Sequence, residues 1–439
     1  MACPDRLSQW TQEVSTVFAH LSKAQRWGLA LWSAGIALAG AAGLTQVSAL
    51  LAAVLGEAEL TVFQRLREWY LDKEQKSGEK RRELDVATCF APLLGWVVRL
   101  IEVVPGEKRR LAFALDATSL RNQWTILAVS VLVAGCAIPV AWKVLPAEQE
   151  GSWRPYWETL LKHLGPSVPK TWEVIVLADR GLYARWLWDC IVAQGWHPFL
   201  RVNLGSKARE VGSEAFEWFS RWVPAPGTSW HGQMECFAGK ASRLLATVLM
   251  HWEPGYEAAW IILTDLEPED AQIAWYGLRS WIEGGFKDFK RGFWGWHHSK
   301  MDRATCVERL WLALALAQLW CVSLGCQAEA EREEACRLHE PGADLPQKHI
   351  ARTKRTRPAG QRPPRRLSCV LRGRLLLLAV QFQGKAFSIG ILHMAPWPEV
   401  MTPPQKPGIR KKKPIKTSNE KKRRKRAKQR ARARARAQK

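Results

Sequence analysis

The sequence lacks the cysteine patterns of a disulfide framework or of a zinc site. Its 10 cysteines occur singly, with no CxxC pair and no zinc-ribbon spacing. Isolated cysteines of this kind are typical of reduced thiols in a reducing compartment. The first residues also lack a basic segment followed by an apolar run, so no signal peptide is predicted. We therefore expect a cytoplasmic protein.

Acidic residues are almost absent after residue 347. Residues 348–374 contain ten lysines and arginines and no acid, and residues 406–439 contain eighteen, with Glu420 as the single acid. These segments account for the net charge of +24, so the first 347 residues are close to neutral. Residues 401–439 are predicted to form a disordered polybasic tail, because they lack apolar periodicity. Its partner would be a polyanion, usually nucleic acid.

The rest of the chain has the composition of a globular protein. Of its 439 residues 47% are hydrophobic and 24% charged, which excludes a wholly disordered or collagen-like chain. Residues 27–56 carry no formal charge and are long enough for a membrane span. They are nevertheless rich in Ala and Gly, with a break at Gly43–Thr45, and Ala39 lies four residues before Gly43 in a faint helix-turn-helix spacing. We favour a buried helical pair over a membrane span.

Apolar patterning divides the chain into a helical N-terminal part and an α/β part. Residues 1–105 show helical spacing throughout and are interpreted as a DNA-binding domain. Short apolar runs rich in Val and Ile then predict strands, the first three forming a meander. The remaining boundaries are a first half of the core at 106–204, a β-rich insertion at 205–258, a second half at 259–330, and a C-terminal region with a basic linker at 331–400. Within this last region, residues 375–380 are predicted to form a further strand.

Two apolar strands deliver an aspartate at or near their C-terminal ends. Asp116 follows the run that begins at Leu111, and Asp179 follows the run that begins at Glu173. If these strands are neighbours, the two carboxylates lie side by side, where they repel unless protonated or bridged by cations. Magnesium is the natural bridge, since it prefers carboxylate oxygens. The simpler alternative is that each aspartate caps the next turn.

A third element carries functional side chains along one stripe of a predicted helix over residues 270–289. At 100° per residue the stripe is about 60° wide and about 21 Å long. Its members are Tyr276, Arg279, Glu283 and Lys290, with Lys287 close to it. A solvent-facing stripe would explain the same pattern. The adjacent pair Gly284–Gly285 is unfavourable in a helix and indicates that something approaches the helix closely there.

The spacing Tyr-x2-Arg-x3-Glu-x6-Lys resembles the signature of a large group of bacterial insertion-sequence transposases, the cut-and-paste DDE class. Tyr276, Arg279, Glu283 and Lys290 match it without a gap. Asp116 followed by Ala-Thr-Ser resembles the surroundings of that group's first catalytic aspartate, and Asp179 followed by Arg-Gly resembles the second. The match spans residues 111–325, nearly half of the chain. The N-terminal domain has no motif to compare, and the basic tail is not part of the signature.

The resemblance implies an α/β protein with an RNase H-like catalytic core interrupted by the inserted β subdomain. It implies that Asp116, Asp179 and Glu283 are catalytic and hold two Mg²⁺ ions, for which Mn²⁺ substitutes. Tyr276, Arg279 and Lys290, with Lys287 beside them, would bind phosphates of double-stranded DNA at the transposon ends. Water would release a 3′-hydroxyl, which then attacks the partner strand or target DNA. A homodimer associated with the bacterial nucleoid is expected.

Three other interpretations remain open on the residues alone. An RNase H-like nuclease would cut DNA without joining it. A catalytically inactive relic would bind DNA with the same fold, although all three carboxylates are present. A membrane-associated protein would rest only on residues 27–56.

Overall fold

The computed structural model describes residues 5–77, 82–102, 108–338, 367–394 and 396–401. All of them belong to one unit, Met1–Thr402. The predicted polybasic tail beyond residue 401 and most of the basic linker lie outside the described residues.

The N-terminal part is helical, as predicted. The start of the helix at Lys23 is encoded locally by a capping box. The Ser22 hydroxyl accepts from the Gln25 amide at 3.3 Å, and the Gln25 side chain accepts from the Ser22 amide at 2.9 Å. The same helix ends at Gly40, whose φ of +65° favours glycine. The five helices are α1 (Asp5–Val17), α2 (Lys23–Ala39), α3 (Leu44–Leu55), α4 (Glu59–Tyr70) and α5 (Phe90–Leu100).

The uncharged stretch at residues 27–56 forms the helices α2 and α3, which meet at an angle of 99°. Residues 28–38 of α2 are buried, and α3 packs against α4. In the described part of the chain, this bent pair and the single helix Ala304–Arg332 are long and apolar enough to cross a membrane. In Ala304–Arg332, 89% of the most apolar window is already covered by protein.

The α/β part is built on a ten-stranded mixed sheet in the order β3-β2-β1-β4-β5-β10-β9-β8-β6-β7. The meander β1–β2–β3 is antiparallel, whereas β1, β4 and β5 run parallel to one another. The strands are β1 (Arg110–Leu120), β2 (Trp124–Val133), β3 (Cys136–Pro146), β4 (Glu173–Ala178), β5 (His197–Arg201), β6 (Lys207–Glu210), β7 (Glu217–Trp218), β8 (Ser229–Cys236), β9 (Leu244–His251) and β10 (Trp260–Thr264).

Residues 205–258 are rich in β-structure, as predicted, but their strands continue the main sheet. β9 pairs with β10 and with β8, and β6 pairs with β8 and β7. β3 is the edge strand on the opposite side of the sheet, and it contains Pro139. Proline has no backbone N–H to donate to a neighbouring strand, so it is tolerated in an edge strand. Central strands are apolar on both faces: Leu111–Leu115 of β1 is fully buried.

Five further helices complete the described chain: α6 (Arg154–Leu164), α7 (Arg185–Val192), α8 (Ser280–Lys287), α9 (Ala304–Leu338) and α10 (Cys369–Phe382). The predicted core helix at residues 304–324 is confirmed and is longer than expected. It packs against α2, α10 and β3. The strand predicted at residues 375–380 is wrong, because these residues lie inside α10.

A buried ion pair joins α9 to the N-terminal helices. Arg309 on α9 is 2% exposed and pairs with Asp72 at 2.8 Å and with Glu83. Its guanidinium also donates to the carbonyl oxygens of Tyr70 at 2.8 Å and Leu84 at 3.0 Å. The segment after α4 is therefore held to the core helix by a charge that is almost completely buried.

Helices α9 and α10 touch backbone to backbone at two glycines. A Cβ at Gly373 would lie 1.8 Å from the carbonyl oxygen of Cys321, and a Cβ at Gly325 would lie 1.9 Å from that of Cys369. These distances are far below van der Waals contact, and a backbone atom cannot rotate away as a side chain can. The absence of side chains at both positions sets the spacing of the two helices.

We expect Gly373→Ala to lower the free energy of unfolding by about 2–3 kcal/mol through overpacking. Gly95→Ala in α5 is the matched control, because its new Cβ would meet only Arg99 Nη1 at 3.8 Å. In that control the free energy of unfolding should rise by about 0.5–1 kcal/mol, because alanine loses less backbone entropy on folding than glycine. Urea unfolding of both variants measures the difference, and equal effects would contradict the close contact.

Candidate active site

Strand pairing brings Asp116 and Asp179 together. β1 and β4 are parallel, and their pairing ends with Leu115 opposite Ala178. The next residues are Asp116, which lies inside β1, and Asp179, which directly follows β4. Asp116 Oδ1 accepts from the Ala117 amide at 2.8 Å, and Asp179 Oδ1 accepts from the Arg180 amide at 2.7 Å. One oxygen of each carboxylate is thus fixed by the backbone.

Glu283 reaches the same place from the segment 273–292, which changes helix type twice. Ile273–Arg279 is a 3-10 helix, α8 is a regular α-helix, and Asp288–Gly292 is a π-helix. The uniform advance of 100° per residue used to draw the predicted stripe is therefore wrong outside α8, because both flanking helix types have a different twist. Arg279 and Glu283 still meet at the junction of the first two parts.

The two adjacent glycines of α8 have different surroundings. A Cβ at Gly285 would lie 3.0 Å from Ala137 Cβ and 3.4 Å from its carbonyl oxygen, so α8 packs closely on β3 at this point. At Gly284, the residue next to Glu283, a Cβ would meet no described atom within 4 Å. The predicted close approach is therefore present, and it belongs to Gly285.

Arg279 contacts all three predicted catalytic carboxylates. Its Nη2 lies 3.1 Å from Asp116 Oδ2 and 3.4 Å from Asp179 Oδ2, and its Nη1 lies 3.1 Å from Glu283 Oε1. The arginine side chain is 13% exposed, while that of Glu283 is 54% exposed. The three acids, up to 167 positions apart in the chain, thus converge on one guanidinium at the carboxyl edge of the parallel strands.

The electrostatics of the cluster are dominated by burial and by the charge of Arg279. Burial raises the pKa of Asp116, with Asp179 and Glu283 adding to the effect, while Arg279 and the Ala117 amide oppose it. Burial alone would lower the pKa of Arg279, but Tyr276 and the acids outweigh it and the net direction is upward. The arginine therefore stays charged, and its charge compensates part of the negative charge around it.

The donor atoms of the cluster fit magnesium in their chemistry. Three carboxylates supply hard oxygen ligands. The Oδ2 atoms of Asp116 and Asp179, which accept no backbone amide, both contact Arg279 Nη2. In the present arrangement, however, the acids are directed at the guanidinium. Accordingly, no group of three or more His, Cys, Asp and Glu among the described residues is arranged to hold a metal ion.

The other residues of the predicted DNA-binding set lie in two kinds of environment. Tyr276 is 4% exposed, and its hydroxyl donates to the carbonyl oxygen of Ala178 at 3.4 Å, so it supports the strand end that carries Asp179. Lys287 is exposed and Lys290 is half-buried. Burial lowers the pKa of Lys290, and Arg291 adds to this. Their contacts with DNA stay predictions.

Asp288 is a residue of this segment that the motif did not single out. Its carbonyl oxygen accepts from the amides of Phe293 at 3.0 Å and Trp294 at 2.8 Å, which closes the π-helix. Burial raises the pKa of its carboxyl to about 6, and a hydrogen bond from Gln318 opposes the shift. The residue is half-buried, and no local pattern in the sequence indicates the π-helix that carries it.

Neither the protein-family models nor the curated proteins contain a match to this chain.

We expect Asp288→Asn to remove a pH-dependent penalty on stability. The folded-state pKa of Asp288 is raised from 3.8 to about 6, so the unfolded chain ionises first. The protonated carboxyl contributes its full stability below pH 3.8, the pKa of the unfolded chain. This contribution is lost as the pH rises through about 6, the pKa of the folded protein. The free energy of unfolding of the variant, relative to the wild type, should rise between these values and then level off.

Urea unfolding at a series of pH values across this window measures that difference, in which all other titrating groups cancel. A constant difference would show that Asp288 is not buried as described.

Proposed function

We propose that this protein is a DNA transposase of the DDE class, which cleaves and joins DNA strands at insertion-sequence ends on an RNase H-like core. The observation that carries the proposal is the convergence of Asp116, Asp179 and Glu283 on Arg279. The antiparallel meander β1–β3 followed by parallel β4 is consistent with the resemblance. Residues 205–258 would be the inserted subdomain of that core.

Asp116, Asp179 and Glu283 would hold the divalent cations of the reaction. When bound, two such ions activate the attacking oxygen and stabilise the leaving oxygen of a phosphodiester. Backbone amides hold Oδ1 of Asp116 and of Asp179, and the Oδ2 atoms of both residues are directed at Arg279. Gly285 sets the distance of α8 from the sheet and thereby the position of Glu283.

Positive side chains next to the acids would hold the DNA backbone. Lys287 and Lys290 follow Glu283 on the same helical segment, and Arg279 lies between the acids. Lysine and arginine bind phosphate through charge-assisted hydrogen bonds that position DNA without reading its sequence. Tyr276 contributes by supporting the end of β4. Two copies of the chain would be needed to bring two DNA ends together.

We expect Asp116→Asn, Asp179→Asn and Glu283→Gln each to lower DNA cleavage by about a thousandfold, because each removes several kcal/mol of charge stabilisation. The substrate is a supercoiled plasmid that carries the gene with its flanking genomic DNA, assayed in Mg²⁺. Asp265→Asn is the matched control. Asp265 also follows a strand, but β10 runs antiparallel to β5. Asp265 therefore lies at the opposite end of the strands, where it pairs with His197 at 3.0 Å.

Wild-type cleavage by any of the three variants would remove that residue from the active site. Assays with precleaved ends then separate a transposase from a nuclease, because only a transposase joins a free 3′-hydroxyl to a second strand. Cleavage without joining would support the nuclease.

The polybasic segment is proposed to bind DNA without sequence preference. Deleting residues 406–439 removes eighteen lysines and arginines. Since each neutralised phosphate contributes to the salt dependence, we expect roughly tenfold weaker binding to random duplex DNA and a shallower dependence on salt. Fluorescence anisotropy over a salt series measures both quantities. A full-length variant with the eighteen lysines and arginines changed to Gln is the control for chain length. An unchanged salt dependence of DNA binding in either protein would contradict the proposal.

A further inference from the structure

The position of Arg279 requires an explanation that DNA binding does not supply. An arginine that waits for a phosphate would be expected to point its guanidinium towards solvent. Instead, both of its terminal nitrogens are bound to carboxylates, and the side chain is largely buried. Its Nε is buried as well and has no hydrogen-bond partner among the described residues. One of its five donors is therefore left unsatisfied in this position.

The acids, for their part, need a cation at this point. Asp116 and Asp179 are forced together by the pairing of β1 with β4, and Glu283 adds a third charge. Without a counter-charge this arrangement would oppose folding, because like charges that share a site disfavour ionisation. One guanidinium offsets one of three negative charges. The cluster therefore keeps a net negative charge that attracts further cations.

We propose that Arg279 is an exchangeable internal counter-ion, which holds the three carboxylates together until divalent cations take its place. This inference rests on the proposed function, since it assigns the same acids to the cations. Arg279 and a divalent cation bind the same oxygens of Asp116 and Asp179, so the two compete. Once displaced, the guanidinium is free to bind a DNA phosphate through two of its donors, of which Nε can be one.

Exchange of this kind links metal binding to DNA binding. A phosphate that attracts Arg279 frees the carboxylates for the cations, and cations on the carboxylates free Arg279 for the phosphate. By thermodynamic reciprocity each ligand then increases the affinity for the other. In the absence of DNA, the protein would bind divalent cations weakly, because its own arginine would occupy the carboxylates.

The test is a measurement of Mn²⁺ affinity in the full chain without DNA, by electron paramagnetic resonance of the unbound ion. We expect Arg279→Gln to bind Mn²⁺ at least about tenfold more tightly than the wild type, because a competing charge next to a carboxylate is worth one or more pKa units. Without metal the variant should melt at a lower temperature than the wild type, and Mn²⁺ should raise its melting temperature by more.

Arg180→Gln is the matched control. Arg180 follows Asp179 directly and is exposed, and in the described part of the chain it forms no ion pair with the three carboxylates. Its removal changes the net charge equally and should leave the Mn²⁺ affinity within about twofold of wild type. Arg279→Lys keeps a positive charge and should give an intermediate affinity.

A second readout covers the case in which Arg279→Gln does not fold. In wild-type protein with ¹⁵N-labelled arginine, one Nε–H signal should shift on addition of diamagnetic Mg²⁺, and this signal should be unaffected in a mixture with Na⁺ of equal ionic strength. No shifting signal would overturn the inference.

Failure of the inference and failure of the proposed function are distinguishable. Affinity for Mn²⁺ in Arg279→Gln that is equal to or weaker than wild type overturns the counter-ion, even when the three acid variants lose cleavage. Tighter Mn²⁺ binding in Arg279→Gln supports the counter-ion, even when cleavage proves to be independent of the acids and the transposase proposal fails.

Discussion

The parallel pairing of β1 with β4 is the constraint on which the candidate site depends. It sets Leu115 against Ala178, so Asp116 and Asp179 emerge from the sheet next to each other. The sheet therefore holds two like charges together, and everything around them must compensate for that repulsion.

The strands and their aspartates are the part of the site that sequence reasoning could predict. β4 is a short apolar run, β1 is apolar from Leu111 to Leu115, and β2 and β3 are mostly apolar, so this signal is local. The N-terminal helices carry equally local signals in the Ser22 capping box and the glycine at position 40. Glu283 and Arg279 are identified by the spacing of the motif, and the meeting of the two aspartates can be inferred only by assuming that β1 and β4 are neighbours.

The features that could not be predicted depend on contacts between distant parts of the chain. Residues 375–380 form a helix because Gly373 lets α10 lie directly on α9, and a short apolar run does not distinguish a buried helix from a strand. The strands of residues 205–258 join the main sheet through β10, a pairing that no local pattern specifies. The change from 3-10 to α to π geometry depends on packing against β3 and on the carbonyl of Asp288.

The buried ion pair of Arg309 has a consequence for how this chain can be divided. A boundary near residue 105 separates helices from sheet by composition, yet Asp72 and Glu83 on one side neutralise a cation in the interior of the other. Cutting the chain there would leave a bare charge in an apolar setting, at a cost of about 3–5 kcal/mol. A gene that encoded one half without the other would therefore yield an unstable product, and selection would keep the two halves together.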